Sequence, residues 1–136
     1  MKIFVCCSKH FYSSAKPFLE ELEKKGHKIT LPNSYEDPFK EEKMKKKSVE
    51  EHRKWKSEKL KEQVKKIKNN SAILVLNFEK KGIKNYIGGA TFLEIYEAWK
   101  MKKKIFLFNH LPNCSFTDEL KAINPIILNG DLSKIK

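Results

Sequence analysis

Two stretches decide how the chain is read: Ala72-Ile-Leu-Val-Leu-Asn77 and, after a polar interval, Asn85-Tyr-Ile-Gly-Gly-Ala-Thr-Phe-Leu-Glu94. The first is a near-continuous apolar run of the kind found in a strand covered on both faces. Beyond the second, Phe92, Ile95, Tyr96 and Trp99 recur at helical spacing and predict the apolar face of a helix over about Ala90 to Lys102. Gly88 and Gly89 lie between strand and helix. They permit backbone angles closed to other residues and let a ligand approach the main chain. N–H groups left free at the start of the helix then favour an anion.

Working outward, the same alternation repeats. Ile3 to Cys7 reads as a first buried strand, followed by a loop from Ser8 to Tyr12 and a helix from about Ser14 to Lys25 that buries Phe18, Leu19 and Leu22. Gly26 stops that helix. His27 to Leu31 supplies a second strand, closed by Pro32, and Asn33 to Pro38 is rich in turn residues. A Lys/Glu-rich segment over about 39–69 reads as one or two helices, with Leu60, Val64 and Ile67 at helical spacing and few apolar positions before Trp55. Ile73 to Phe78 is a third strand, Lys104 to Asn109 a fourth and Ile126 to Leu128 a last, with a short helix near Phe116 to Ile123 before it. Strand alternating with helix predicts an α/β fold with a parallel sheet covered on both faces. Right-handed crossovers favour a flavodoxin-like, Rossmann-like order 2-1-3-4-5. Ligands in such sheets bind beyond the carboxyl ends of the strands where the order reverses, here between the first and third strands. The loops Ser8 to Tyr12 and Phe78 to Gly89 are therefore expected to line one crevice.

At 136 residues the whole chain, 1–136, is expected to be one domain. A net charge of +12 favours an anionic partner: nucleotide, nucleic acid or membrane surface. Between Lys40 and Lys68 thirteen basic residues face six acidic ones, so more than half of the excess sits on that segment. It reads first as a solvated helix face with pairs such as Glu50 and Lys54, and second as a nucleic-acid contact surface with Trp55 as its one stacking partner. Cys6, Cys7 and Cys114 are odd in number and have no metal-ligand spacing, so neither disulfides nor a zinc site are expected and a cytoplasmic location fits. No apolar run approaches membrane-spanning length.

No dinucleotide, P-loop, zincin or nucleophile-elbow motif occurs. Glu94 is the leading candidate for chemistry, since a carboxylate early in a helix is kept ionised by the macrodipole and can serve as a nucleophile. Thr91-x-x-Glu94 also matches a capping box, in which the carboxylate only satisfies a backbone N–H. Asn77, at a strand end, suits a hydrogen bond to a sugar or base and equally an Asx-turn. Tyr86 suits stacking on a ligand and equally covering the core edge. Ser8, Lys9 and His10 bring hydroxyl, ammonium and imidazole groups suited to phosphate. His27, His52 and His110 read as structural or surface residues, and Asp118 and Glu119 as ordinary first-turn acids of the last helix.

These residues together resemble the nucleoside 2-deoxyribosyltransferase superfamily, including its deoxynucleoside 5′-monophosphate N-glycosidase branch. The likeness runs over most of the chain. Cys7-Ser8 is similar to the Cys-Gly-Ser turn of that branch, and Phe92-Leu-Glu94-Ile-Tyr-Glu-Ala98 is similar to the family's helix motif from the catalytic glutamate onward. Asn77 stands where the transferases carry an Asp. The resemblance implies Glu94 as nucleophile on the sugar's anomeric carbon, with the base leaving and water or a second base resolving the glycosyl ester. It further implies Ser8 and His10 on a phosphate, Tyr86 and Asn77 beside sugar or base, and Gly88 and Gly89 making room. No metal or organic cofactor is implied, and assembly into a homo-oligomer, dimer or larger, is. The competing readings are a non-catalytic nucleotide-binding module and a nucleic-acid-binding protein using the basic helix.

Overall fold

A computed structural model describes all of residues 1–136. Its strands are β1 (Lys2–Cys6), β2 (Lys28–Thr30), β3 (Ala72–Val75), β4 (Lys104–Leu107) and β5 (Ile126–Ile127). They form one all-parallel sheet in the order β2-β1-β3-β4-β5, the order expected. Ile3 pairs with Ala72 and Ile73 with Ile105, so β1, β3 and β4 stand in register at the centre.

Because strand side chains alternate, each central strand serves two cores. On one face Ile3, Val5, Leu74 and Phe106 pack under α1 (Tyr12–Lys24) through Ala15, Leu19 and Leu22, joined by Leu132 and Ile135 near the chain end. On the other, Phe4, Cys6, Ile73, Val75 and Leu107 meet α3 (Val49–Lys68), α4 (Gly89–Lys100) and α5 (Thr117–Ile123) through Ile67, Ile95, Ala98 and Leu120. Burial on both faces explains why these strands are continuously apolar; truncating one such side chain to Ala costs roughly 2–5 kcal/mol.

The Lys/Glu-rich segment is two helices. Ser48 breaks it with extended backbone, and its Oγ caps α3 by accepting the Glu51 N–H at 3.0 Å. The preceding α2 (Lys40–Lys47) buries no side chain. It packs along α3 and is tied to its surroundings by ion pairs from Lys9 to Glu42 and from Lys56 to Glu41, with the His52 ring hydrogen-bonded to Glu41.

The helix after the glycine pair is rotated from the face its aromatics predict. Its buried residues are Thr91, Glu94, Ile95 and Ala98, while Tyr96 and Trp99 are 44% and 48% exposed. A carboxylate has taken the core-facing position that an apolar residue usually holds.

Candidate active site

Where β1 and β3 diverge toward their neighbours, a hollow of about 260 Å³ opens beyond their carboxyl ends. The turn after β1 forms one side with Cys7, Ser8, Lys9 and His10, and the start of α4 forms another with Gly88, Gly89, Ala90, Thr91 and Glu94. The third wall is one face of α3: Trp55, Lys56, Lys59, Leu60 and Gln63. Asn33, Ser34 and Pro38 from the β2 exit, and Glu41 of α2, complete the rim. Four lysines thus surround the hollow, the fourth being Lys80.

Glu94 is 6% exposed and lines this hollow. Gly88 caps the helix, so Glu94 sits in the second turn, too far along to close a capping box on Thr91. Burial drives its carboxyl pKa up to about 8, and the neighbouring Cys6 thiol, Lys66, Lys56 and the Gln63 amide recover only part of that. The expected ionised carboxylate is therefore corrected. Glu94 is largely protonated at neutral pH, because desolvation outweighs the neighbours that favour its charge.

Cys7 is a poor nucleophile, its thiol pushed up to about 12 by burial and then by Glu94. Tyr12 donates its hydroxyl to Asn33 O at 2.7 Å, and burial raises its pKa as well. Burial opposes ionisation of Glu41, yet the His52 ring and the Lys56 ammonium outweigh it and hold that carboxyl below its ordinary range. His10 is held toward the neutral ring, first by its desolvation and then by Lys80, Lys9 and Lys81. Positive charge at this turn comes from the lysines.

The structure brings Ser8, His10, Gly88, Gly89 and Glu94 to one hollow. Ser8 Oγ accepts the His10 N–H at 3.4 Å and so shapes the turn. The glycines serve differently from the expectation. Neither has positive φ; the left-handed residues of this loop are Lys81, Gly82 and Asn85, and Lys81-Gly82 make a tight hairpin with Lys80 and Ile83 paired across it. A Cβ on Gly89 would meet nothing within 4 Å, so that residue is open to the hollow, whereas a Cβ on Gly88 would lie 3.3 Å from Tyr86 Oη. The N–H groups of Gly89, Ala90 and Thr91 have no backbone partner, the first intrahelical bond being Phe92 N–H to Gly88 O.

Two of the expected binding residues stand elsewhere. Asn77 is fully buried and lies outside the hollow's lining. Its amide donates to Asn109 O at 3.2 Å and His110 O at 3.0 Å, and its Oδ1 accepts the Asn109 N–H at 2.8 Å. Both amide hydrogens and one lone pair of Oδ1 are spent on tying the end of β3 to the end of β4, and its burial keeps the side chain away from a sugar in the hollow. Tyr86 stands behind Gly88, packed edge-on to Phe11 with Lys80 Nζ 4.5 Å over its ring. It supports the wall without facing the hollow.

Residues missed from sequence come mainly from α3. Trp55, Lys59 and Gln63 recur at i, i+4 and i+8, a stripe visible in the sequence but masked by the lysines around it. No group of three or more His, Cys, Asp or Glu stands ready to hold a metal, and no helix is long and apolar enough to cross a membrane.

No protein-family model matches the chain, and no curated protein sequence matches it. Among solved structures it is similar to the Clostridium botulinum CMP N-glycosidase BcmB, at 16% identity and a TM-score of 0.50, over 95% of this chain and 90% of that one. At that identity the likeness shows a shared fold.

Proposed function

We propose that the chain cleaves the N-glycosidic bond of a nucleoside 5′-monophosphate, with Glu94 as the group that engages the sugar. The observation that carries this reading is a buried carboxyl facing into a lysine-lined hollow at the sheet's switch point. The fold shared with a CMP N-glycosidase supports the reaction class. The lysines and the free N–H groups of α4 take the phosphate, and Trp55 offers a face for the base. Deprotonated Glu94 attacks C1′, the C1′–N bond breaks toward the base, and water hydrolyses the resulting ester, or a second base replaces the first. The departing base draws its proton from water, since burial keeps Cys7 and Tyr12 weakly acidic and Glu41 is held ionised.

The raised pKa of Glu94 favours a second assignment within the same reaction. A neutral Glu94 carboxyl protonates the leaving base while water attacks the sugar, and the proton that water sheds returns through solvent to the Glu94 carboxylate. Either assignment is compatible with an assembly of two or more copies, for which the exposed Leu93, Tyr96 and Trp99 on α4 are the supporting feature.

The test is release of free base, followed by chromatography, from ribo- and deoxyribonucleosides and their 5′-monophosphates, with Glu94→Gln beside the wild type. Turnover of a monophosphate that the variant loses by about 100-fold or more supports the reading. Equal turnover by the variant removes Glu94 from the mechanism. Tight binding with no turnover makes the chain a nucleotide-binding module, and salt-sensitive binding of polynucleotide alone moves its function to the outer face of α3.

A further inference from the structure

Two adjacent carboxylates of α2 occupy cations of the hollow. Glu41 Oε2 lies 3.2 Å from Lys56 Nζ and 2.9 Å from His52 Nε2, and Glu42 pairs with Lys9 on the turn after β1. Lys9, Lys56 and Glu41 all line the hollow. The helix packs along α3 without sinking any side chain into the core: it buries none, Phe39 at its start is 67% exposed, and a further surface pair joins Lys43 to Asp37 at 3.2 Å. The Oε2 of Glu42 is buried with no hydrogen-bond partner, so the pair with Lys9 leaves half of that carboxylate unsatisfied at a desolvation cost. The paired side chains are between 21% and 43% exposed, and partly exposed ion pairs contribute modestly to folding. Where these carboxylates meet Lys9 and Lys56, the contact is one that an incoming anion replaces in kind.

We propose that Glu41 and Glu42 are built-in competitors for the ligand's phosphate, neutralising Lys56 and Lys9 and releasing both when a phosphate monoester enters. The exchange balances, since two carboxylates leave two ammonium groups and one dianion takes their place. It also discriminates. An uncharged nucleoside has nothing to offer the lysines that α2 would lose, whereas a monophosphate does. The inference deepens the reading above and rests on it for what carries the phosphate; the exchange itself is independent of any turnover.

Isothermal titration of the full chain with inorganic phosphate at low salt tests it, comparing the wild type with Glu41→Gln/Glu42→Gln and with Glu42→Gln alone, which keeps the Glu41–His52–Lys56 cluster intact. The double variant is expected to bind phosphate about tenfold more tightly, two screened pairs having been removed, and the single variant to show part of that gain. The KM for a nucleoside 5′-monophosphate should fall more than that for the matching nucleoside. Unchanged or weaker phosphate binding by both variants overturns the proposal, because the carboxylates would then be positioning the lysines. If phosphate binding tightens and no nucleotide loses its base, the competition stands and the N-glycosidase reading falls. If base is released while phosphate affinity does not rise, the competition falls alone.

Discussion

Asn77 Oδ1 accepts the Asn109 N–H at 2.8 Å while the Asn77 amide donates to the carbonyls of Asn109 and His110. This side chain closes the ends of β3 and β4 against each other one residue beyond the buried run that ends at Leu76. A residue that the family resemblance assigns to substrate is thus a brace of the sheet. Replacing it with Ala leaves the Asn109 N–H and the Asn109 and His110 carbonyls without these partners and should cost about 1–3 kcal/mol. Urea unfolding should show that loss, while KM of the protein that remains folded stays near the wild-type value.

Glu94 should make the protein less stable as pH rises. Its folded pKa of about 8 lies above the ordinary 4.5, so the unfolded chain ionises first. Below pH 4.5 both states are protonated and nothing is lost; stability then falls with rising pH until about 8, where the penalty is complete. Glu94→Gln removes the penalty. The melting temperature of the variant minus that of the wild type should grow by on the order of 10 °C between pH 5 and pH 8, and a constant difference would refute the raised pKa.

The same ionisation separates the two roles open to Glu94. As a nucleophile it must be deprotonated, so kcat/KM should climb with pH through half its maximum near 8 and level off above it. As a proton donor it must be neutral, and kcat/KM should decline over the same interval. A profile flat across that range would fit neither.

Gly89→Ala should part stability from binding. The residue opens α4 with no positive φ and no neighbour within 4 Å of an added Cβ. Folding should gain about 0.5 kcal/mol from the stiffer unfolded chain and better helix propensity. The methyl projects into the hollow, so nucleotide affinity should drop several-fold, read by calorimetry beside the thermal melt.

The two tryptophans report different places. Trp55 lines the hollow with Lys59 Nζ 5.9 Å over its ring, and Trp99 stands on the outer face of α4. Emission from Trp99→Phe, which retains Trp55, should change on adding a nucleoside monophosphate. Trp55→Phe should be silent and should bind more weakly by about 1–2 kcal/mol if the indole stacks on the base.

How much of this was legible beforehand varied with how local the cause was. Strand positions and sheet order followed from apolar runs and crossover handedness, which are properties of neighbouring residues and chain chirality. The rotation of α4 did not. Phe92, Tyr96 and Trp99 outweigh Thr91 and Glu94 in any apolar count, yet the face that meets the sheet carries Glu94, because Cys6, Gln63 and Lys66 stand there to receive it. The lysines of α3 likewise read as a solvated surface until the sheet set one of their faces against the β1 turn.

By itself, then, the sequence determined an alternating parallel sheet and the candidacy of Glu94, since strand periodicity and the glycine pair ahead of a helix are written in consecutive residues. Only the tertiary structure decided that Asn77 braces the sheet, that Trp55, Lys56 and Lys59 wall the hollow, and that Glu94 is held protonated. Those outcomes depend on which distant side chains share a dry space, and burial sets both the partners of a polar group and the cost of its charge.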